Sequence, residues 1–314
     1  KDQKNDMPVK EIFKRYADGD AHLLGEVADY CIKDTELPHD LMAKLCTIQN
    51  LIEMAKATWV PLSFLSERGQ QIKVFSQMTR KARELGFMVP TIPYKREKDP
   101  DDEDGYKGAT VLDAQTGAYY GPITALDFAS LYPSIMCAHN LCYSSMVMDP
   151  KYDNLEGVQY EQFGPYKFAQ GTQSLLPAIL TELKEFRKKA KKDMAAAEGT
   201  PMEAVYNGKQ LAYKISMNSV YGFTGAVGGG MLPLVAIAST VTMRGRQMIE
   251  ETRDYVEANF PGAKVRYGDT DSVMVEFDVG GRKGQEAIDY SWNIGEKAAE
   301  ACTKLFKAPN DLEL

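Results

Sequence analysis

The amino-acid sequence predicts an α+β fold with a helical insertion, and three observations carry that prediction. Short runs with β character, residues 109–112 and 123–126, precede two long helical patterns at 176–197 and 202–221. Those patterns are separated by Glu198-Gly199-Thr200-Pro201, a stop-and-start signal for a helix hairpin. A third helical stretch, 234–259, feeds through Pro261-Gly262 into a strand pair around Asp269. Strand, helix hairpin, helix and strand hairpin in that order describe a layered α+β unit interrupted by helices.

Taken in order, residues 8–57 show helical spacing of apolar residues at Leu41, Leu45, Ile48, Leu51, Ile52 and Met54. A second amphipathic stretch follows Gly69-Gln70-Gln71, so the N-terminal third reads as helical. From Tyr94 to Gly105 charge, Pro and Gly replace periodicity, as in a linker. A helix is expected to open near Pro133, since proline suits a first turn, and residues 147–172 read as irregular.

At 314 residues, 44% apolar and 26% charged, the composition is that of a globular chain able to bury one or two cores. No apolar run approaches the roughly 20 residues of a spanning helix, so no membrane partner is expected. The polar start is unlike a signal peptide. Position 1 is not Met, and the end at Leu312-Glu313-Leu314 carries no stop signal, which suggests an excerpt of a longer polypeptide. Five cysteines without a CxxC pair argue against a disulfide framework or a zinc site, and each reads as a small buried hydrophobe. The formal charge of −7 is unevenly spread. Acids gather at Asp99, Asp101, Asp102, Glu103 and Asp104, whereas Lys184, Arg187, Lys188, Lys189, Lys191 and Lys192 form one basic stretch.

The chemistry-bearing residues fall in three segments. If 123–127 ends a strand, Asp127 projects where the chain leaves the sheet, and Asp269 and Asp271, two apart in an extended run, project together. Three converging carboxylates repel one another and suit a divalent cation of the oxygen-seeking kind. On the second long helix Lys214, Asn218 and Tyr221 recur at i, i+4 and i+7, with Gln210 one turn before and Leu211 and Ile215 as an adjacent apolar stripe for packing. Arg187 and Lys191 share a face of the first helix.

In this order Leu126–Ile135, Lys214–Gly222 and Val265–Val275 resemble motifs A, B and C of family B DNA polymerases, closest to the delta-type replicases of eukaryotes and of large DNA viruses. The resemblance implies a polymerase palm with inserted antiparallel helical fingers, preceded by the helical C-terminal part of an exonuclease domain, with the thumb absent. The implied division is 1–95 exonuclease remainder and connecting helices, 96–172 first palm part, 173–226 fingers and 227–314 second palm part. It implies template-directed transfer of deoxynucleotides to a primer 3′-hydroxyl with two Mg²⁺ ions, roughly 4 Å apart.

By the same resemblance Asp127 and Asp271 bridge the metals, Asp269 supports them, and the Phe128 carbonyl is a further ligand. Arg187, Lys191 and Lys214 hold the triphosphate, a task for point charges and an arginine fork. Asn218 and Tyr221 lie along the nascent base pair, and Gly222 permits a close approach. Leu131 and Tyr132 line the sugar, with the Tyr132 ring leaving no room for a ribose 2′-hydroxyl. Tyr106-Lys107-Gly108-Ala109 resembles the YxGG/A element, so Tyr106 and Gly108 would contact template. Tyr30 and Asp34 resemble the third exonuclease motif, yet no upstream acids accompany them and proofreading is not expected.

The implied partners are primer-template DNA and deoxynucleoside triphosphates, with a sliding clamp and accessory subunits met through regions outside this chain. The implied location is the nucleus or a viral replication site. The alternatives weighed are another palm polymerase, reverse transcriptase or RNA polymerase, and a catalytically inactive nucleic-acid-binding remnant or scaffold.

Overall fold

In the computed structural model, residues 6–91, 106–226 and 228–314 are described. The predicted linker from Tyr94 to Gly105 and its acidic cluster lie outside them.

The N-terminal third is helical: α1 (Val9–Asp18), α2 (Ala21–Lys44), α3 (Thr47–Thr58), α4 (Leu62–Glu67) and α5 (Gln71–Leu85). The apolar spacing across 41–54 does not form one buried stripe. Cys46 adopts a left-handed φ of 50° and divides it between α2 and α3, leaving Leu41, Leu45 and Ile48 exposed. α5 by contrast buries Val74, Met78 and Ala82 in the main core.

That core is organised by a five-stranded antiparallel sheet. Its strands are β1 (Val111–Leu112), β2 (Ile123–Phe128), β5 (Lys264–Asp269), β6 (Ser272–Glu276) and β7 (Leu312–Glu313), in the spatial order β1-β5-β6-β2-β7. Along β2 burial alternates strictly, with Thr124, Leu126 and Phe128 inward and Ile123, Ala125 and Asp127 outward. The inward face packs on α9 (Val235–Asn259) and α10 (Gln285–Thr303), so one face of the sheet is covered and the other is left open around Asp127. Gly295 permits the approach of α10 to β2, because a Cβ there would stand 2.7 Å from Thr124 Cγ2.

After β2, Ser130 takes a left-handed φ of 58° and α6 (Leu131–Ala138) begins, so Pro133 falls in its first turn. The segment expected to be irregular instead contains a second sheet, the hairpin β3 (Gln159–Phe163) and β4 (Tyr166–Gln170). Its turn is Gly164-Pro165, with Gly164 at φ 57°, a conformation that glycine adopts without strain. The aromatic residues flanking that dipeptide were the available signal. The helix hairpin follows as α7 (Leu175–Ala196) and α8 (Pro201–Gly225), with Pro201 in the opening turn of α8.

The packing face of α8 differs from the expected one. Leu211 and Ile215 are 39% and 45% exposed, while Gly208, Ala212, Ser216 and Val220 are buried. α8 is pressed between α7 and α3, and small side chains are what let helix backbones approach that closely. Cysteines also divide: Cys142 and Cys302 are buried as expected, but Cys31 is exposed.

Candidate active site

Two elements brought together by this topology form a cavity of about 680 Å³. Its floor is the open end of the sheet, where Asp127 and Asp271 meet the Phe128–Pro133 turn; its wall is the helix hairpin, contributing Lys184, Arg187, Lys188, Lys191, Lys214 and Asn218. Carboxylates on one side therefore face cations on the other.

The acidic floor follows from strand register. Asp127 opposes Ser272 of β6 on one side and Glu313 of β7 on the other, and Asp269 closes β5 opposite the same Ser272. Asp271 lies in the two-residue turn between β5 and β6 rather than in an extended run. Thr270 turns the chain with a left-handed φ of 53°, and the Asp271 carbonyl accepts the Phe128 amide at 2.8 Å, tying the turn to the end of β2.

Two of the three predicted acids consequently enter the cavity. Asp269 does not line it; its carboxylate accepts the Thr270 hydroxyl at 2.7 Å. The extended-chain expectation of paired projection fails there because the left-handed Thr270 reverses the chain. Glu313 takes a place in the cavity that sequence reasoning missed: it sits in a two-residue strand, too short for any periodicity.

Burial raises the Asp127 carboxyl above its usual range, and the charges of Asp271 and Glu313 push it further, with Lys214 opposing. Burial likewise raises Asp271, Asp269 adds to the effect, and Lys214 again opposes. Lys214 is thus the cation common to both carboxylates. Among the described residues neither carboxylate is held in an ion pair, Lys214 acting on both only through its charge. Among the described residues no three metal-ligating side chains form a closed cage. The two raised carboxylates nevertheless fit a divalent cation, which would relieve the charge crowding that lifts them.

On the wall, Arg187 Nε reaches Gln210 Oε1 at 3.5 Å across the hairpin, and burial lowers the Arg187 pKa. Lys214 and Asn218, one turn apart on α8, both line the cavity with Arg187 and Lys191. Leu131 and Tyr132 line its floor.

Beside the cavity lies a tyrosine group. The Tyr132 and Tyr221 rings pack at a tilt of 51° with centroids 4.6 Å apart, and the Tyr221 hydroxyl meets that of Tyr106 at 2.8 Å. Burial raises the Tyr132 and Tyr221 phenols. Gly222 is exposed on α8, and Gly108 lies in the irregular segment leading to β1. Tyr30 and Asp34 do not line this cavity; on α2 they line a separate one with Arg15, Glu26, Asp29 and Lys33.

An acidic sheet end thus faces a basic helix hairpin across one cavity. The sequence matches DNA polymerase family B over residues 60–314, and the chain belongs to that family. It is 43% identical to the DNA polymerase of Paramecium bursaria Chlorella virus NY2A, covering 99% of this chain and 35% of the viral protein. It is 45% identical to the DNA polymerase delta catalytic subunit of Glycine max, covering 99% and 29% of the two chains respectively. The fold also resembles that of the family B DNA polymerase of Pyrobaculum calidifontis, with a TM-score of 0.70 at 24% identity over 98% of this chain and 37% of that one. The chain spans about a third of the length of these curated relatives.

Proposed function

We propose that this chain carries the catalytic centre of a replicative, template-directed DNA polymerase of the delta type. The observation that carries the reading is the single cavity in which Asp127 and Asp271 confront Arg187, Lys191 and Lys214. In this reading the five-stranded sheet with α9 and α10 is the palm, α7 and α8 are the fingers, and α1 to α5 hold the end of an exonuclease domain and the connecting helices. The boundaries proposed are 1–95, 96–172, 173–226 and 227–314.

The division of labour follows from chemistry. Arg187, Lys191 and Lys214 bind the triphosphate of an incoming deoxynucleotide, and charge-assisted contacts of this kind each contribute roughly 1.5–3 kcal/mol. Asn218, Tyr221 and Gly222 lie along the nascent base pair, Tyr106 and Gly108 against the template strand, and Leu131 with Tyr132 beneath the sugar. Asp127 and Asp271, with the Phe128 carbonyl, would hold two Mg²⁺ ions, and Asp269 would steady the turn through its bond to Thr270. Held there, such ions would supply charge stabilisation for an attacking primer 3′-hydroxyl and a leaving pyrophosphate. The protein's own part is to hold the carboxylates apart from neutralising partners and to fix the triphosphate in line with them.

The partners in this reading are primer-template DNA and deoxynucleotides, and the location is a nuclear or viral replication site, in keeping with the origins of its relatives. The experiment is single-nucleotide primer extension by this chain and by Asp271→Asn with Mg²⁺, supplying deoxy- and ribonucleotides separately. Template-directed deoxynucleotide addition lost in Asp271→Asn is the expected result. Addition that survives in Asp271→Asn would refute the assignment, and a folded chain that adds nothing would refute catalysis by this chain.

A further inference from the structure

One turn of α9 reaches the tyrosine group at two points. Arg246 Nη1 donates to the backbone carbonyls of Lys107 at 2.6 Å and Gly108 at 2.5 Å, and the Thr242 hydroxyl donates to the Lys107 carbonyl at 2.9 Å. Thr242, Gly245 and Arg246 stand at i, i+3 and i+4, so they share a face of the helix. On that face Gly245 is the seat of the Tyr132 ring: a Cβ at position 245 would stand 3.2 Å from Tyr132 Cε1, with Leu131 and Ile135 at 3.6 and 3.7 Å behind it.

The contacts close a loop through the site. Arg246 and Thr242 bond the Tyr106–Gly108 segment, Tyr106 meets the Tyr221 hydroxyl, Tyr221 packs at a tilt against Tyr132, and Tyr132 rests on Gly245. The segment 106–108, which lies in no strand among the described residues, is thereby tied to α9 by side-chain bonds. The Tyr132 ring is therefore in contact both with α9 at Gly245 and with Tyr221, which is itself bonded to Tyr106.

We infer that Thr242, Gly245 and Arg246 are positioning residues that set the height and tilt of the Tyr132 ring, and so determine deoxyribose selectivity although they do not line the nucleotide cavity. This rests on the proposed role of Tyr132 as the floor beneath the sugar. A second consequence is that the Tyr106–Gly108 segment and the sugar floor respond together: loosening the first releases the second.

The test compares dissociation constants for dATP and ATP on a primer-template complex with Ca²⁺, which permits binding without turnover, for the wild type, Arg246→Ala, Arg246→Lys, Tyr106→Phe and Tyr132→Ala. Arg246→Ala and Tyr106→Phe are expected to reduce the preference for dATP at least about fivefold in the direction of Tyr132→Ala, with Arg246→Lys intermediate because its ammonium keeps a charged donor but on a differently shaped, more flexible stem. A purely structural role would weaken both nucleotides equally. If Tyr132→Ala shifts the preference while Arg246→Ala and Tyr106→Phe leave it unchanged, the inference is overturned and the floor reading stands. If Tyr132→Ala itself changes nothing, the floor reading fails and the inference with it. Tyr106→Phe removes a single oxygen, so it keeps the test decisive should Arg246→Ala fail to fold.

Discussion

The amide of Phe128 donates to the carbonyl of Asp271 at 2.8 Å, joining the end of β2 to the β5–β6 turn. Residues 143 positions apart in sequence are thereby joined, and the Asp127 and Asp271 side chains open into one cavity. The consequence is an electrostatic tension that the fold maintains and that experiments can read.

The first expectation concerns pH. Both carboxyls have folded-state pKa values raised above their unfolded ones, Asp127 and Asp271 alike by burial and then by neighbouring acids. A raised carboxyl binds its proton more tightly when folded, so its ionisation costs stability as pH rises from the unfolded value, near 4, through the folded one. Asp271→Asn is therefore expected to stabilise the metal-free chain at pH 7, by no more than about 1 kcal/mol given partial exposure, and to have no effect below about pH 3.5. Thermal denaturation across pH in EDTA measures it.

Divalent ions should reverse that order. Mg²⁺ is expected to raise the melting temperature of the wild type, since a ligand bound only to the folded state stabilises it, and to leave Asp127→Asn nearly unmoved. Equal shifts in both proteins would count against a carboxylate-held cation.

Lys214 is the cation that opposes the raised pKa of both acids and lines the cavity with them. Replacing it by Ala is expected to weaken triphosphate binding about 10- to 100-fold, the worth of one charge-assisted contact. Nucleotide titrations should show that loss for triphosphates and much less for a nucleoside, which lacks the phosphates.

The observed packing face of α8 makes a stability prediction opposite to the one its apolar stripe suggests. Ala212 is 2% exposed where α8 meets its neighbours, whereas Leu211 is 39% exposed. Ala212→Leu should cost about 1–3 kcal/mol through overpacking, and Leu211→Ala less than about 1 kcal/mol. Urea denaturation of the two variants decides between the faces.

Much of the architecture was legible from local chemistry. The helix hairpin declared itself through Gly199-Thr200-Pro201, and α5 and α9 through long periodic patterns. The β3–β4 hairpin escaped because its alternation is carried by tyrosine and phenylalanine among polar residues, with a Gly-Pro turn that reads equally well as loop. Both Leu211 and Leu41 illustrate the same limit: a periodic apolar side chain announces a helix without announcing what lies against it.

By itself the sequence determined the helices, the acidic turn and the spacing of Lys214, Asn218 and Tyr221, because those depend on dihedral preferences and on side-chain periods within a few residues. Only the tertiary structure decided which acids share a cavity. It admitted Glu313 and turned Asp269 aside through strand register and the left-handed Thr270. It also seated Tyr132 on Gly245 and bound Arg246 to residues 107 and 108. Contacts between such distant positions depend on how sheet and helices close on one core, and no local pattern encodes that closure.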